Sequence, residues 1–282
     1  MSIPPRAALL ALMPLLCALP LAAGAATVTL ADIGLVTDDN ITAARNGSPR
    51  RDEQALQLGI AQVLSVAVDR GISLRLVARG DGRFYRQHQG LNELGAGLDG
   101  QLQLRPGSGF HTPTVGLGLG IGTQQFASRL RDAQEARGRA FVQQALTTRL
   151  AARGVLAAVW RGSSSQAFDA DWRSAELSID WQAQDRLRLS LGYQYRDGTV
   201  VSVGTPGSAA VANAEGLQPD DVFTGLTAFS FDAQTHIGSV TLGYALSPAV
   251  TLETQLRYVE SDTDFATRYR RWNTISGLVL RF

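Results

Sequence analysis

The chain has 282 residues with a formal net charge of +1, and charged residues make up 18% of it. This even charge balance gives no electrostatic basis for binding nucleic acid. The 29 glycines suit tight turns and closely packed strands better than long helices.

Residues 1–25 have the pattern of a signal peptide for export. Arg6 supplies the positive charge, Ala7–Leu21 is apolar, and Ala23–Ala25 is a small-residue cleavage site. A retained membrane anchor is the alternative, but the apolar run is short and two prolines interrupt it. The single cysteine, Cys17, lies in this segment, so the mature chain has no thiol for a disulfide, a metal or catalysis. We predict neither a metal nor a cofactor.

From residue 27 onward, apolar residues recur at every second position in a series of segments, and no apolar run is long enough for a membrane-spanning helix. Each segment has about 10 to 14 residues, whereas strands of soluble proteins typically have about five or six. The pattern predicts twelve strands: Thr27–Thr37, Gln54–Val68, Ile72–Arg86, Leu94–Arg105, Thr114–Gln124, Arg139–Leu150, Val155–Ser165, Trp172–Trp181, Arg186–Arg196, Thr235–Leu246, Val250–Val259 and Trp272–Phe282.

The connections between these strands alternate in length. Short turns near residues 70, 107, 153, 185 and 248 alternate with longer loops near 45, 89, 131, 168, 215 and 263. This alternation and the even strand count predict that residues 26–282 form an up-and-down antiparallel transmembrane β-barrel. The longest connection, Asp197–Ala233, is long enough to plug the lumen or to dock a partner.

Aromatic residues on the apolar face collect near the ends of the predicted strands. Two such girdles around an aliphatic band are typical of a barrel in a bilayer, so we expect this face to contact outer-membrane lipid. Trp160 lies nearer the middle of its predicted strand and does not follow the rule. A soluble barrel or sandwich with the apolar face inward is the alternative. The girdle residues are Phe84, Tyr193, Tyr195, Tyr258 and Trp272 at the loop ends, and Trp181, Tyr244 and Phe282 at the turn ends.

Arginines are prominent on the opposite, polar face. A positive lining would favour anions or acidic sugars in a narrow pore. The alternative is that each arginine forms a structural ion pair, and the predicted strand pairing places Arg79 near Asp99 and Arg188 near Asp180. The arginines predicted to line this anion pathway are Arg75, Arg79, Arg83, Arg186, Arg188 and Arg257.

A stripe of glycines lies on the lumen side of two adjacent predicted strands. The absence of side chains there would make room for an inward-folded loop or a solute. Alternatively, the glycines ease curvature and close packing in a small barrel. The stripe consists of Gly95, Gly97, Gly116, Gly118 and Gly120.

No constellation of residues indicates an enzyme. None of the histidines, His88, His111 and His236, lies two residues from a serine on one strand face, as a barrel lipase would suggest. The aspartate pairs at 38–39 and 220–221 fit solvated turns better than catalytic acids. A serine, aspartate or glutamate beside His88 or His236 in the fold would revive a hydrolase hypothesis.

Two segments carry a resemblance to known proteins. The last strand alternates to a terminal aromatic residue through Leu278, Leu280 and Phe282, and resembles the closing strand of bacterial outer-membrane barrels. The segment Gly34–Asn40, with its Asp-Asp-Asn sequence, is similar to the opening of outer-membrane β-barrel porin families, some of which accompany exopolysaccharide export or surface-protein assembly. The resemblance implies the outer membrane of a Gram-negative bacterium and recognition of the closing strand by the barrel-assembly machinery.

Three hypotheses follow for the function. The first is a narrow porin-like channel for small, preferably anionic, solutes or saccharides. The second is a non-conducting barrel that acts as a partner or anchor in envelope assembly or polysaccharide export. The third is an outer-membrane hydrolase.

Overall fold

The computed structural model describes residues 25–45, 49–212, 214, 216–263 and 268–282. The predicted signal peptide, with Cys17, therefore lies outside the described residues except for Ala25, which begins the first strand. The strands are β1 (Ala25–Asp38), β2 (Glu53–Asp69), β3 (Ile72–Tyr85), β4 (Glu93–Leu104), β5 (Thr114–Phe126), β6 (Ala133–Ala145), β7 (Leu150–Ser163), β8 (Ala170–Gln184), β9 (Leu187–Gly204), β10 (Gly216–Pro219), β11 (Thr227–Ser247), β12 (Val250–Thr263) and β13 (Arg268–Arg281).

Twelve of these strands close into an antiparallel barrel. Each pairs with the next along the chain, β9 pairs directly with β11, and β13 pairs back onto β1 through Leu30↔Arg281 to Asp38↔Asn273. The thirteenth strand, β10, has four residues and pairs only with the first residues of β11. The predicted fold class is confirmed: the protein is an all-β, up-and-down barrel of twelve strands.

Both described chain ends and the short turns lie at one end of the barrel, which we call the turn end. The longer connections lie at the other end, the loop end. Three of them contain single 3-10 turns at Gln89–Leu91, Arg129–Arg131 and Gln166–Phe168, and a turn of α-helix spans Ala209–Ala212 between β9 and β10. None of the helical segments in the described ranges is long and apolar enough to cross a membrane.

The apolar face points outward. On β5, for example, Leu117, Leu119 and Ile121 are 66%, 76% and 62% exposed, although they are among the most hydrophobic residues of the chain. Leaving such side chains in water would cost roughly 1.5–3 kcal/mol each, so a continuous band of them is stable only against lipid. The alternative of a soluble barrel or sandwich with its apolar face inward is therefore wrong.

One stretch of the predicted strand pattern is displaced. β6 begins at Ala133, six residues before its predicted start, and the predicted turn at 152–154 lies inside β7, because the true turn is at residues 146–149. With β7 ending at Ser163, Trp160 lies near the loop end and is 57% exposed. Trp160 therefore belongs to the aromatic girdle at the loop end, and the prediction that it lies near the middle of its strand is wrong.

Candidate functional site

The polar side chains that alternate with the lipid-facing band line the barrel interior. Arg75, Arg79 and Arg83 share the interior face of β3, and Arg257 lies on the interior face of β12. Arg188 also faces inward, but it lies near the turn end and pairs with Glu253 at 3.2 Å. Its expected neighbour Asp180 instead accepts a hydrogen bond from Ser190.

The sixth predicted lumen residue, Arg186, is not in the lumen. It lies in the two-residue turn between β8 and β9 and its side chain is exposed. The alternating pattern of β9 extends into this turn, so periodicity alone could not show where the strand begins. The prediction for Arg186 is corrected accordingly.

The glycine stripe is occupied by side chains from the neighbouring strands. A Cβ atom on Gly118 would lie 2.9 Å from Arg139 Nε, and one on Gly120 would lie 2.7 Å from Arg137 Nε. Gly116 is covered by the Phe141 ring in the same way. These β6 side chains lie flat against β5 because it has no side chains of its own there.

The two remaining glycines serve β3. Gly97 lies under the Arg79 guanidinium, and a Cβ atom on Gly97 would lie 3.0 Å from Arg79 Nε. Gly95 lies under the Asp81 carboxylate, and a Cβ atom on Gly95 would lie 2.6 Å from Asp81 Oδ2. Of the two explanations for the stripe, the structure favours close packing. The space is filled by interior side chains of the wall and not by a loop.

Asp99 is the centre of the charged network on this wall. Arg137 donates to it from Nη2 at 2.5 Å and from Nε at 2.9 Å, and Arg139 Nη2 lies 3.6 Å away. Arg79 was expected at Asp99 from the predicted pairing, but its strand neighbour is Gly97. Arg137 and Arg139 were not predicted as lumen residues, because the sequence pattern placed the first in a loop and the second at the start of a strand.

Many interior arginines lack an ion pair. Among the described residues, six of them have no carboxylate oxygen within 4.0 Å of their side-chain nitrogens: Arg75, Arg79, Arg153, Arg161, Arg196 and Arg257. The carboxylates of the same lining that lack an arginine partner are fewer: Asp32, Asp81, Glu176 and Asp180.

A hairpin covers the loop end of the barrel. We call residues 198–232 the cap; it consists of the ends of β9 and β11, which pair beyond the barrel wall, and of β10, which pairs with the other edge of β11. β8 stops pairing with β9 at Trp172↔Gly198. Gly198 has a φ of +137°, and a Cβ there would collide with the backbone of β8, so glycine is required where the hairpin leaves the wall.

The cap reaches across the whole mouth. Phe223 packs with Leu91, which lies between β3 and β4, and a Cβ on Gly90 would touch Val222. In the ring of twelve, β3 and β4 are six strands away from β9 and β11, on the opposite side. On the way, Ser202 donates to the backbone of Ala43 at 2.9 Å.

Small apolar cores hold the cap in place. Ala228 and Phe229 are 0% and 2% exposed. Ala228 packs with Ala167 and Phe168 between β7 and β8, and Phe229 is in a cluster with Phe231 and Tyr269 of β13. The cap is therefore attached to the rim of the barrel by buried apolar contacts on several sides.

A buried ion-pair cluster, which we call the latch, fastens the far end of the cap. Arg131 Nη2 donates to Asp220 at 2.5 Å and Nη1 donates to Asp221 at 2.8 Å. The side chains of Arg131 and Asp220 are 7% and 0% exposed. The guanidinium lies over the Phe168 ring at 4.4 Å, and Ser128 Oγ donates to Asp221. The predicted aspartate pair at 220–221 is thus a structural anchor.

The Asp-Asp-Asn segment closes the barrel seam. Asp38 accepts hydrogen bonds from Arg271 of β13, and Asp39 accepts one from the backbone N–H of Trp272 at 2.7 Å. Asn40 is fully buried, and its amide donates to a β13 carbonyl at 2.9 Å. The segment therefore joins the first strand to the last at the loop end.

Two histidines have partners that bear on the hydrolase hypothesis. His88 Nδ1 lies 2.6 Å from Glu53 Oε2, so a carboxylate does lie beside this ring, and Phe223 of the cap packs on it at 4.8 Å. His236 faces outward and lies 2.7 Å from the Tyr193 hydroxyl. Within the described residues no serine or threonine hydroxyl hydrogen-bonds to either ring. Glu53 beside His88 thus meets the condition for reviving the hydrolase hypothesis in part, since the pair supplies a base and an orienting carboxylate without an adjacent hydroxyl nucleophile.

The described part of the chain contains no group of three metal-ligating side chains. No family model matches the chain, and no curated protein matches it. Solved structures do match it. An outer membrane channel from Pseudomonas putida F1 is similar with a TM-score of 0.61 and 14% identity over 94% of this chain and 97% of that one. This protein has the fold of an outer-membrane channel.

Two further solved structures have lower similarity. The KdgM porin in complex with disordered oligogalacturonate has a TM-score of 0.49 and 9% identity, and covers 90% of this chain and 99% of its own. The NanC porin has a TM-score of 0.47 and 8% identity, and covers 88% and 98%.

Proposed function

We propose that the protein is a narrow outer-membrane channel for small, preferentially anionic, solutes or saccharides, and that the cap controls its outer mouth. The observation that carries this proposal is the set of interior arginines without ion pairs. A structural ion pair is the simplest reason for an arginine inside a barrel, and for these six residues no carboxylate lies close enough to provide it.

Unpaired guanidinium groups create a positive potential along the passage. Low-dielectric walls strengthen that potential, which raises the local concentration of anions and lowers that of cations. Because arginine stays protonated at any physiological pH, the preference would be constant over that range. The channel should therefore select by charge first and by size second.

The test is the conductance of the mature chain, residues 26–282, refolded into a planar bilayer under a salt gradient. We expect a reversal potential whose sign indicates anion selectivity. In the double variant Arg75→Gln, Arg79→Gln, the reversal potential should shift toward zero. The matched control is Arg268→Gln, because Arg268 is exposed on the outside of β13 and pairs with Asp262. A barrel that stays silent with and without its cap would overturn the channel proposal.

The cap favours a second candidate function. A mouth covered by buried apolar contacts and a buried ion pair would suit a non-conducting barrel that anchors or assists envelope assembly or polysaccharide export. Deleting the cap separates the two functions: a channel gains conductance, whereas an anchor barrel stays silent but loses the surface that would contact its partner.

We also propose that the closing strand is read by the barrel-assembly machinery. Leu278 and Leu280 share the outward face of β13, and Phe282 follows the strand and is 75% exposed at the turn end. Replacing Phe282 with alanine should lower the amount of folded barrel in the outer membrane in cells, while the purified chain still refolds in detergent. Equal loss in both settings would contradict this role.

A further inference from the structure

Beneath the cap, Arg196 is held in one orientation with a hydrogen-bond donor left unused. Its guanidinium lies 3.9 Å from the centre of the Trp172 ring, and Nη2 donates to the carbonyl of Thr199 at 2.8 Å. Nε is buried and has no hydrogen-bond partner among the described residues. The stacking and the Nη2 bond fix the plane of the cation, so Nε points at a position that no protein acceptor occupies.

A second arginine adds to the positive charge at this place. Arg257 of β12 interacts electrostatically with Arg196, and also with Arg83 and Arg271. Arg83 also has a buried Nε without a hydrogen-bond partner, but its Nη1 lies 3.6 Å from Glu93 Oε1 and its Nη2 donates to Gln57 at 3.0 Å. Arg83 and Arg271 are thus each paired with a carboxylate, whereas Arg196 and Arg257, on the two strands that flank β11, are not.

The carboxylates nearby do not balance this charge. Arg257 has Glu176 and Asp38 as its opposite-charge neighbours. Asp38 is already bonded by Arg271, by the Asn273 amide and by the backbone N–H of Asn40. Glu93 pairs with Arg83, so Glu176 alone remains to face Arg196 and Arg257, and it has no arginine nitrogen within 4.0 Å among the described residues. Like charges held together away from bulk water repel one another strongly.

We propose that Arg196 and Arg257 form a binding site for an oxyanion, the carboxylate or phosphate group of a small solute, inside the barrel under the cap. An oxyanion accepts from several guanidinium nitrogens at once and would engage the unused Nε of Arg196. A bound water could accept one of these hydrogen bonds, but it would leave the repulsion between the arginines unchanged. The site rests on the proposed channel function for its solute, yet its occupancy does not require conduction.

The position of Trp172 offers a direct reporter. The chain has four tryptophans, and the other three, Trp160, Trp181 and Trp272, are exposed on the outer face. Replacing those three with phenylalanine leaves Trp172 as the only indole, in contact with the Arg196 cation. An anion that binds to the Arg196 guanidinium should change the fluorescence emission of Trp172.

The experiment titrates this single-tryptophan barrel, refolded in detergent, with sodium glucuronate or inorganic phosphate at constant ionic strength. We expect a saturable change in emission for at least one of them, none for glucose, and at least tenfold weaker binding in Arg257→Gln, which leaves the Trp172 contact intact. Arg149→Gln is the matched control, because Arg149 is exposed in the turn between β6 and β7. The glucuronate and phosphate arms distinguish an acidic sugar from a phosphorylated solute.

Calorimetry on the chain with all four tryptophans gives a second readout if the triple substitution impairs folding. A response to neither anion, or equal responses in Arg257→Gln and the parent, would overturn the site. Binding in a barrel that does not conduct would uphold the site and overturn the channel, whereas conduction without binding would overturn the site alone.

Discussion

The two ends of this barrel use the same pair of side chains in opposite environments. At the turn end, Arg149 and Asp185 approach to 3.5 Å, with side chains that are 57% and 97% exposed. At the loop end, Arg131 and Asp220 of the latch approach to 2.5 Å and are 7% and 0% exposed. Exposed pairs contribute little because water screens them, whereas breaking a buried pair leaves a charge without solvent or partner.

The two ends of the barrel differ in how much packed structure they contain. The turn end consists of short connections that only reverse the chain. The loop end adds a second layer of structure, with its own apolar cores around Phe229 and Phe223 and its own buried ion pair. Opening the mouth must therefore disrupt packed structure, and it is not a matter of loop motion alone.

Removing the outer part of the cap, residues 205–226, should have the largest effect. Replacement of residues 205–226 with a three-residue glycine-serine turn leaves the barrel strands intact and uncovers the mouth. We expect single-channel conductance to rise several-fold, because this part of the cap extends over the mouth to the connection between β3 and β4. Unchanged conductance in a barrel that still resists unfolding in cold detergent would show that the restriction lies deeper in the lumen.

Breaking the latch should have the next largest effect. Asp220→Ala removes the buried partner of Arg131 and the acceptor of the backbone N–H groups of Val222 and Phe223. Loss of one partner of a buried pair typically costs about 3–5 kcal/mol, and Asp221 should keep the cost near the lower limit. Limited proteolysis of the cap measures its local opening, and protease sites within residues 205–226 should become accessible while the barrel stays folded.

The glycine stripe offers a smaller test within the wall. A methyl group at Gly120 would lie 2.5 Å from Asp99 Oδ1 and 2.7 Å from Arg137 Nε, so Gly120→Ala must displace their ion pair. Such overpacking costs roughly 1–3 kcal/mol, which a lower urea midpoint would report. Gly162→Ala is the matched control, since no atom lies within 4 Å of its built Cβ. Equal midpoints for the two variants would contradict the packing role.

The barrel could be predicted from the sequence because its lipid-facing residues alternate without interruption. Leu187 to Tyr195 and Trp272 to Phe282 show this most clearly, and their faces are as expected. The pattern failed where alternation weakens, around Arg139 and Arg153, because small residues such as Ala140, Gly154 and Ala157 give either face the same polarity. A period of two then cannot show where a strand begins.

The cap and the latch could not be predicted for a different reason. Residues 198–232 were assigned to a long connection because their Gly, Ala, Ser and Pro content suits a loop, and their burial depends on contacts with segments more than a hundred residues away. The contact of Asp220 with Arg131 joins two loops that no local pattern relates. The glycine stripe was visible in the sequence, but only the structure shows which side chains cover it.

The smallest expected change in stability is at the turn end, and it serves as the reference for the change at the latch. Asp185→Asn removes the charge that faces Arg149, and the midpoint of urea unfolding should not change measurably, since the aspartate is almost fully in water. The same measurement on Asp220→Asn keeps the shape of the buried side chain and removes only its charge. A similar small shift at both positions would show that burial of the latch does not strengthen its ion pair, and that the apolar contacts alone hold the cap.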